Sequence, residues 1–156
     1  MGDSREDSER GGDMTEAAEA IRAYAQDPIG RRDRVPGEVM LGRAELMTLT
    51  CGDRLELRVA RDGEGRLRIT WSGRGCELSR GSASLLTAEL DGLSASEMAQ
   101  RSDRFLAAMG RRETSLPGAE TFLLVVAANP VRSVCATLAW RALGQALSGA
   151  GLGSPG

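Results

Sequence analysis

The chain has 156 residues, of which 41% are hydrophobic and 27% charged, with a formal net charge of −2. This balance fits one globular domain, and the small negative charge argues against a nucleic-acid-binding surface, which would show a basic excess. The longest apolar run, residues 122–128, is far shorter than the ~20 residues of a membrane helix, so we expect no membrane span.

The first residues, MGDSREDSERGGD, are charged and poor in apolar side chains, so they lack the hydrophobic segment of a secretory signal. We therefore expect a cytoplasmic protein with a disordered tail over residues 1–13. A single domain is predicted over residues 14–148. Residues 149–156 are rich in Gly and Ser and are predicted to form a flexible C-terminal tail.

The first half of the chain predicts one helix and three strands. Helical spacing over residues 14–26 predicts a first helix, which ends before Pro28. Residues 38–50 are predicted as a strand. Apolar and polar residues then alternate over residues 54–60 and again over residues 66–71, as in half-buried strands. Three consecutive strands indicate an antiparallel meander.

The second half predicts helices. Residues 82–92 have helical spacing and end at a glycine, and Ser94 with Glu97 forms the capping-box pattern that begins a longer helix. The apolar residues 119–128 fit a helix or a strand, and we favour the helix. Pro130 is predicted to open a last helix that frays into the Gly/Ser-rich end. The predicted fold class is α+β, a three-stranded antiparallel sheet with helices packed on it.

Some chemistries find no support in the sequence. The chain has no histidine for acid–base catalysis, no phosphate-binding loop and no paired-carboxylate hydrolase pattern. Glu89, Asp91 and Asp103 are interpreted as ordinary charges on helix surfaces.

Three cysteines, Cys51, Cys76 and Cys135, are an odd number that disfavours a disulfide framework. They are either small buried apolar side chains or metal ligands. Asp53 follows Cys51 by two residues, so both side chains can point to one face of an extended segment, and Gly52 allows the backbone to bend there. The segment CGD can therefore act as an arm with two ligands.

The other two cysteines are predicted near helix starts, where the positive end of the helix dipole lowers a thiol pKa. One site made of Cys51, Asp53, Cys76 and Cys135 would offer three sulfurs and one oxygen, a tetrahedral set that suits zinc. The spacings lack the C-x-x-C pairs of a zinc ribbon, so spacing alone leaves both interpretations open.

Three segments around the cysteines, TCGDRLEL, WSGRGCELSRGSASLLTAELDG and PVRSVCATLAWRAL, resemble in this order the cysteine segments of U-type (IscU/NifU-like) iron–sulfur cluster assembly proteins. The resemblance covers about residues 38–146. Within that family the chain is more similar to the SufU-type zinc-dependent sulfurtransferases than to the IscU-type scaffolds. Residues 111–128 look like the SufU-type insertion, and Val134 stands where IscU-type proteins have a histidine.

The resemblance implies that Cys51, Asp53, Cys76 and Cys135 bind Zn²⁺. It also implies that Cys51 accepts persulfide sulfur from a pyridoxal-phosphate-dependent (SufS-like) cysteine desulfurase and passes it to a downstream iron–sulfur scaffold. Arg132 matches an arginine that SufU-type proteins place beside the metal, and its alternative interpretation is a solvated arginine at a helix start.

Two other functions stay open at this point. The same four ligands fit a [2Fe–2S] cluster, as on an IscU-like scaffold, and a zinc ion that only stabilises a non-catalytic adaptor is the third possibility. The chain also departs from the SufU-type pattern in residues 22–35 and at Thr48-Leu49, where an asparagine-proline pair is usual. These departures indicate either that the partner is a divergent desulfurase or that docking to it differs.

Overall fold

The computed structural model describes residues 2–32 and 37–152, with side chains from Met14 onward. Its architecture is a three-stranded antiparallel sheet with helices packed on it, so the predicted fold class is confirmed. The elements in chain order are helix α1 (Gly2–Gln26), strands β1 (Val39–Met47), β2 (Arg54–Arg61) and β3 (Leu67–Arg74), helices α2 (Glu77–Leu90) and α3 (Ala95–Arg111), the 3-10 helix η1 (Ala119–Val126) and helix α4 (Pro130–Gly149).

The sheet is the predicted meander, with strand order β1-β2-β3 and both pairs antiparallel. Leu57 at its centre lies opposite Ala44 on β1 and Trp71 on β3. The alternating apolar residues of β2 and β3 are buried and form one wall of the core. β2 is more deeply buried than a half-exposed strand, since Arg58 on its other face is only 4% exposed.

The segment after α1 covers the outer edge of β3. Arg31 forms an isolated parallel bridge with Trp71, the Trp71 N–H donates to Gly30 O (3.0 Å), and the Arg32 N–H donates to Trp71 O (2.9 Å). Buried Arg58 hydrogen-bonds Thr70 and also donates to the carbonyl of Arg32. The sheet therefore continues beyond β3 into this short extended segment.

Helices α2 and α4 form the centre of the helical layer. The Ser82 hydroxyl donates to Ala136 O (2.6 Å) and accepts from Trp140 Nε1 (3.0 Å), which joins the two helices through a buried polar contact. The Trp140 ring packs against Phe105 of α3 with centroids 4.4 Å apart. Every polar atom of this junction has a partner, as burial requires.

Helix boundaries agree with the sequence in part. Ser94 Oγ accepts from the Glu97 N–H, which confirms the capping box, and α4 does begin at Pro130. α2 begins at Glu77, several residues before the predicted start. The predicted fraying of this last helix, which would begin at residue 144, is wrong up to Gly149, because Leu147 is buried and the helix continues to Gly149.

The N-terminal helix packs on α2 through its last three turns, where Ala17, Ile21 and Ala25 are buried. The backbone of α1 begins at Gly2, inside the segment predicted as a tail, while side chains are described only from Met14. The two predicted tails stay predictions, and residues 153–156 lie outside the described part. In the described residues, every helix is too short or too polar to cross a membrane.

Candidate metal centre

The segment between β1 and β2 folds into a tight turn that presents Cys51 and Asp53. The Gly52 N–H donates to Thr48 O (3.1 Å), and Gly52 adopts a φ of +69°, a conformation that glycine accepts without strain. The Asp53 N–H donates to Thr48 Oγ1 (3.1 Å). As a result Cys51 is exposed on the turn while Asp53, only 2% exposed, points inward.

Asp53 is bound on both oxygens by Cys76. The Cys76 N–H donates to Asp53 Oδ1 (3.0 Å), and the Cys76 Sγ lies 3.3 Å from Asp53 Oδ2. Cys76 is the N-cap residue of α2, so the helix begins at the carboxylate. Gly75 permits this approach, since a Cβ there would overlap Ser79 Oγ and lie 3.1 Å from the Asp53 carboxyl.

The third thiol comes from α4. Cys135 is 2% exposed, and its Sγ lies 3.6 Å from Cys51 Sγ. The ligand atoms of Cys51, Asp53 and Cys135 all lie within 4.8 Å of one another. The fourth predicted ligand, Cys76, lies next to this group of three, since its Sγ is 3.3 Å from Asp53 Oδ2. Two sulfurs on a tetrahedral zinc ion, each at ~2.3 Å, are separated by about 3.8 Å, so the donor set fits zinc.

Hydrogen bonds and burial shift the pKa values of Asp53 and Cys135 in opposite directions. Burial opposes ionisation of Asp53, yet hydrogen bonds from the Cys76 N–H and the Cys76 and Cys135 thiols hold its pKa below the usual range. For Cys135, burial raises the thiol pKa well above its ordinary value, and the neighbouring Cys51 and Asp53 reinforce this. The predicted lowering of the Cys135 pKa by the helix start is therefore wrong in the metal-free chain. Cys135 lies in the second turn of α4, where burial outweighs the helix dipole.

The centre opens into a cleft of about 380 Å³ between α1, the turn after β1, η1 and α4. Arg132, the predicted auxiliary residue, is exposed and lines this cleft together with the three cysteines. Its backbone N–H donates to the Asn129 side chain that caps α4. The remaining lining residues include the apolar Ile21, Val125 and Val131, together with the charged Arg22 of α1 and Glu77 of α2.

The interpretation of Glu89 and Asp91 as ordinary surface charges is wrong. Asp91 Oδ1 accepts from the Ile69 N–H (2.7 Å), and its other oxygen pairs with Arg68 (2.9 Å). Glu89 pairs with Arg101, which also binds the buried Glu120 of η1. A lone carboxylate at the start of the apolar segment 119–128 is the signal that could have predicted a buried ion pair there.

Solved structures share this fold. A hypothetical protein of known crystal structure superposes with a TM-score of 0.67 at 28% identity, covering 82% of this chain and 93% of that one. A putative iron–sulfur cluster assembly scaffold protein for the SUF system from Fervidobacterium islandicum AW-1 gives 0.60 at 23% identity, with coverages of 82% and 93%. The N-terminal part of a nitrogen-fixing NifU-like protein from Brucella abortus gives 0.63 at 15% identity, with coverages of 85% and 92%.

Sequence comparison finds relatives of the same kind, although no family model matches the chain. The zinc-dependent sulfurtransferase SufU of Bacillus subtilis (strain 168) is 35% identical over 98 residues, 60% of this chain and 66% of that protein. The iron–sulfur cluster assembly scaffold protein IscU of Streptococcus pyogenes serotype M1 is 34% identical over 106 residues, 66% of this chain and 67% of that protein. The match thus spans about two thirds of each relative. On this identity and coverage, and with the shared fold, the chain belongs to the U-type family of iron–sulfur cluster assembly proteins.

Proposed function

We propose that the chain is a zinc-dependent sulfurtransferase that accepts persulfide sulfur from a cysteine desulfurase for iron–sulfur cluster assembly. The observation that supports this best is the convergence of Cys51, Asp53, Cys76 and Cys135 at one cleft. The name of the Bacillus subtilis relative points to the same activity.

The four side chains would hold the metal as three thiolates and one carboxylate. This donor set is soft and has no histidine, which favours zinc over harder divalent ions. A bound zinc ion keeps cysteine ligands deprotonated and has no redox chemistry of its own. The raised pKa of Cys135 in the metal-free chain means that its proton must be released when the site is loaded.

Cys51 is the best placed acceptor. It is exposed at a turn, whereas Cys135 is buried and Cys76 is held to Asp53 through both its backbone and its thiol. The Cys51 thiolate attacks the outer sulfur of the desulfurase persulfide. A new S–S bond forms at Cys51, the S–S bond of the donor breaks, and the desulfurase cysteine leaves as a thiolate, so no external oxidant or reductant is needed.

Arg132 is suited to assist this transfer. Its exposed guanidinium lines the cleft, and a permanent positive charge there attracts an anionic persulfide. The acceptor then carries the sulfur to a downstream iron–sulfur scaffold.

The test combines metal analysis with the sulfide production of a SufS-like cysteine desulfurase, with and without the protein. The purified chain is expected to contain about one zinc per molecule and to stimulate turnover. Cys51→Ala should keep partial zinc binding and lose stimulation, while Cys135→Ala should lose zinc as well. Stimulation by Cys51→Ala at the wild-type level would exclude Cys51 as the acceptor.

A second function is favoured by the name of the Streptococcus pyogenes relative, a cluster assembly scaffold. The same three thiols and carboxylate suit a [2Fe–2S] cluster. Visible absorbance after anaerobic reconstitution, cluster transfer to an apo-acceptor and no desulfurase stimulation would support the scaffold instead. A zinc-stabilised adaptor would unfold on chelation, and it would neither transfer a cluster nor stimulate a desulfurase.

A further inference from the structure

A partly buried ion cluster lies outside the candidate metal centre and joins three elements. Arg101 of α3 binds the Glu120 carboxylate through Nε (3.2 Å) and Nη2 (2.7 Å), and the same Nη2 lies 3.0 Å from Glu89 Oε1 on α2. Glu120 belongs to η1 and is only 4% exposed. We call these three residues the Arg101 cluster. One guanidinium compensates two carboxylates, so its loss would leave like charges close together, with the Glu120 carboxylate buried.

The Arg101 cluster holds the start of η1 to α2 and α3. Glu89 Oε1 also accepts from the backbone N–H of Ala119 (2.8 Å), the first residue of η1. The preceding Gly118 leaves the space that the cluster fills, because a Cβ there would overlap Glu120 and Arg101 and lie 2.7 Å from Glu89. The backbone at Gly118 and Ala119 therefore packs directly against the ion pairs, with no space for a side chain at residue 118.

The far end of η1 forms part of the cleft above the metal centre. Val125 and Val126 line that cleft beside Cys135. The Val126 carbonyl accepts from the Asn129 N–H (3.0 Å), and the Asn129 side chain caps the helix that carries Arg132. The position of η1 thus affects how well Cys135 is covered and where Arg132 lies.

We propose that Arg101 is a positioning residue for the cleft. Through Glu120 and Glu89 it fixes η1 as a preformed wall that keeps Cys135 covered, so that an incoming persulfide meets Cys51 at the exposed turn. The wall itself does not depend on the proposed function, whereas its role toward a persulfide donor rests on that function. Without Arg101 the buried Glu120 carboxylate has no charge partner, which favours its movement toward water and the release of η1 from the cleft.

The test is hydrogen exchange of the full-length chain, followed by mass spectrometry, with two variants that disturb the cluster differently. Arg101→Gln removes the charge, and Gly118→Ala adds one methyl group without a change in charge. In both, exchange of residues 119–127 is expected to rise about tenfold or more, while exchange of the sheet amides stays unchanged. Arg101→Lys should give a smaller rise, because an ammonium group retains the charge but not the two-pronged contact.

Matched controls come from the same helix. Arg104→Gln removes an exposed arginine, and Gly110→Ala adds a methyl group where no atom lies within 4 Å. Neither should alter exchange in η1. The proposal is overturned if exchange in η1 is unchanged in Arg101→Gln and Gly118→Ala, or if it accelerates equally throughout the molecule.

A second measurement follows the thiols. In chelator-treated protein the alkylation rate of Cys135 by N-ethylmaleimide should rise about tenfold in Arg101→Gln, in parallel with the local opening of η1, while that of exposed Cys76 stays the same. In the desulfurase assay the variant should need more protein for half-maximal stimulation and reach the same maximum. If the wild-type chain gives no stimulation, the proposed function fails, and the exchange and alkylation results still decide the role of Arg101.

Discussion

Cys76 engages both oxygens of Asp53, Oδ1 through its backbone N–H at 3.0 Å and Oδ2 through its thiol at 3.3 Å. One residue thereby sets the orientation of a buried carboxylate, begins helix α2 and supplies a thiol. The candidate metal centre and the start of the helix are consequently a single structural unit, and a change in one is expected to appear in the other.

The lowered pKa of Asp53 predicts an acid-sensitive contribution to the stability of the metal-free protein. A carboxyl group whose pKa is lower in the folded than in the unfolded state stabilises the fold above the unfolded pKa, near 3.8, and this contribution is lost as pH falls through the folded value. Asp53→Asn should therefore be less stable than wild type at pH 7, with a gap that closes below pH ~3.8. Urea unfolding with a chelator at pH 7, 5 and 3 measures the gap. A gap of constant size would contradict the prediction.

Gly75→Ala should damage the metal centre. The new methyl group would overlap Ser79 Oγ and lie 3.1 Å from the Asp53 carboxyl, which is itself buried. We expect a loss of about 1–3 kcal/mol in the free energy of unfolding, as for other overpacked sites, together with weaker zinc binding. Gly63→Ala is the control, since its Cβ meets nothing within 4 Å. Equal stability and equal zinc affinity in the two variants would show that Gly75 has no special role.

Arg132→Ala should separate activity from stability. The side chain is exposed, so the free energy of unfolding should stay within about 0.5 kcal/mol of wild type. Desulfurase stimulation should fall, because the cleft loses one of its positive charges. Arg104→Ala, an exposed arginine on α3 outside the residues that line the cleft, should leave stimulation unchanged. If Arg132→Ala stimulates as well as this control, Arg132 is only a solvated arginine at a helix start.

Ser82→Ala should destabilise the helical layer without touching the metal centre. It removes the acceptor of the buried Trp140 N–H and the donor to Ala136 O, and an unsatisfied buried donor costs about 1–3 kcal/mol. Chemical denaturation followed by tryptophan fluorescence measures the loss, with Ser148→Ala on the exposed side of α4 as the control. A Ser82→Ala protein as stable as Ser148→Ala would mean that another group satisfies the indole.

Local patterns in the sequence predicted most of the fold. The alternation of Leu55, Leu57 and Val59 specifies a strand because the period of two is a property of the strand itself. The capping box of Ser94 and Glu97 likewise acts within one helical turn. These features need no information about distant parts of the chain.

The start of α2 and the role of Glu89 were harder to predict. Ser79, Ser82 and Ser84 are buried, so hydroxyl groups occupy positions where an apolar stripe would have marked the helix. Their partners lie in distant elements, as the 54-residue separation of Ser82 and Ala136 illustrates. Glu89 is paired for the same reason, through contacts that only the tertiary structure creates.

The candidate site was predictable in two unequal parts. Cys51 and Asp53 form a local arm, which follows from a spacing of two residues with a glycine between them. The convergence of Cys135 on that arm joins residues 84 positions apart. The donor chemistry suggested it without deciding it, and the resemblance to a known family implied it. The pKa of Cys135 depends on burial, which the position of a cysteine in a helix does not reveal.

The extended segment beside β3 has a consequence for how the molecule behaves at high concentration. By covering that edge with Gly30 and Arg31, the fold leaves β1 as the outer strand of the described sheet. β1 is interrupted by an irregularity between Met40 and Gly42 and displays the charges of Arg43 and Glu45. Irregular, charged edges resist pairing with strands of other molecules. At its sheet the protein is thus protected from intermolecular strand pairing and aggregation.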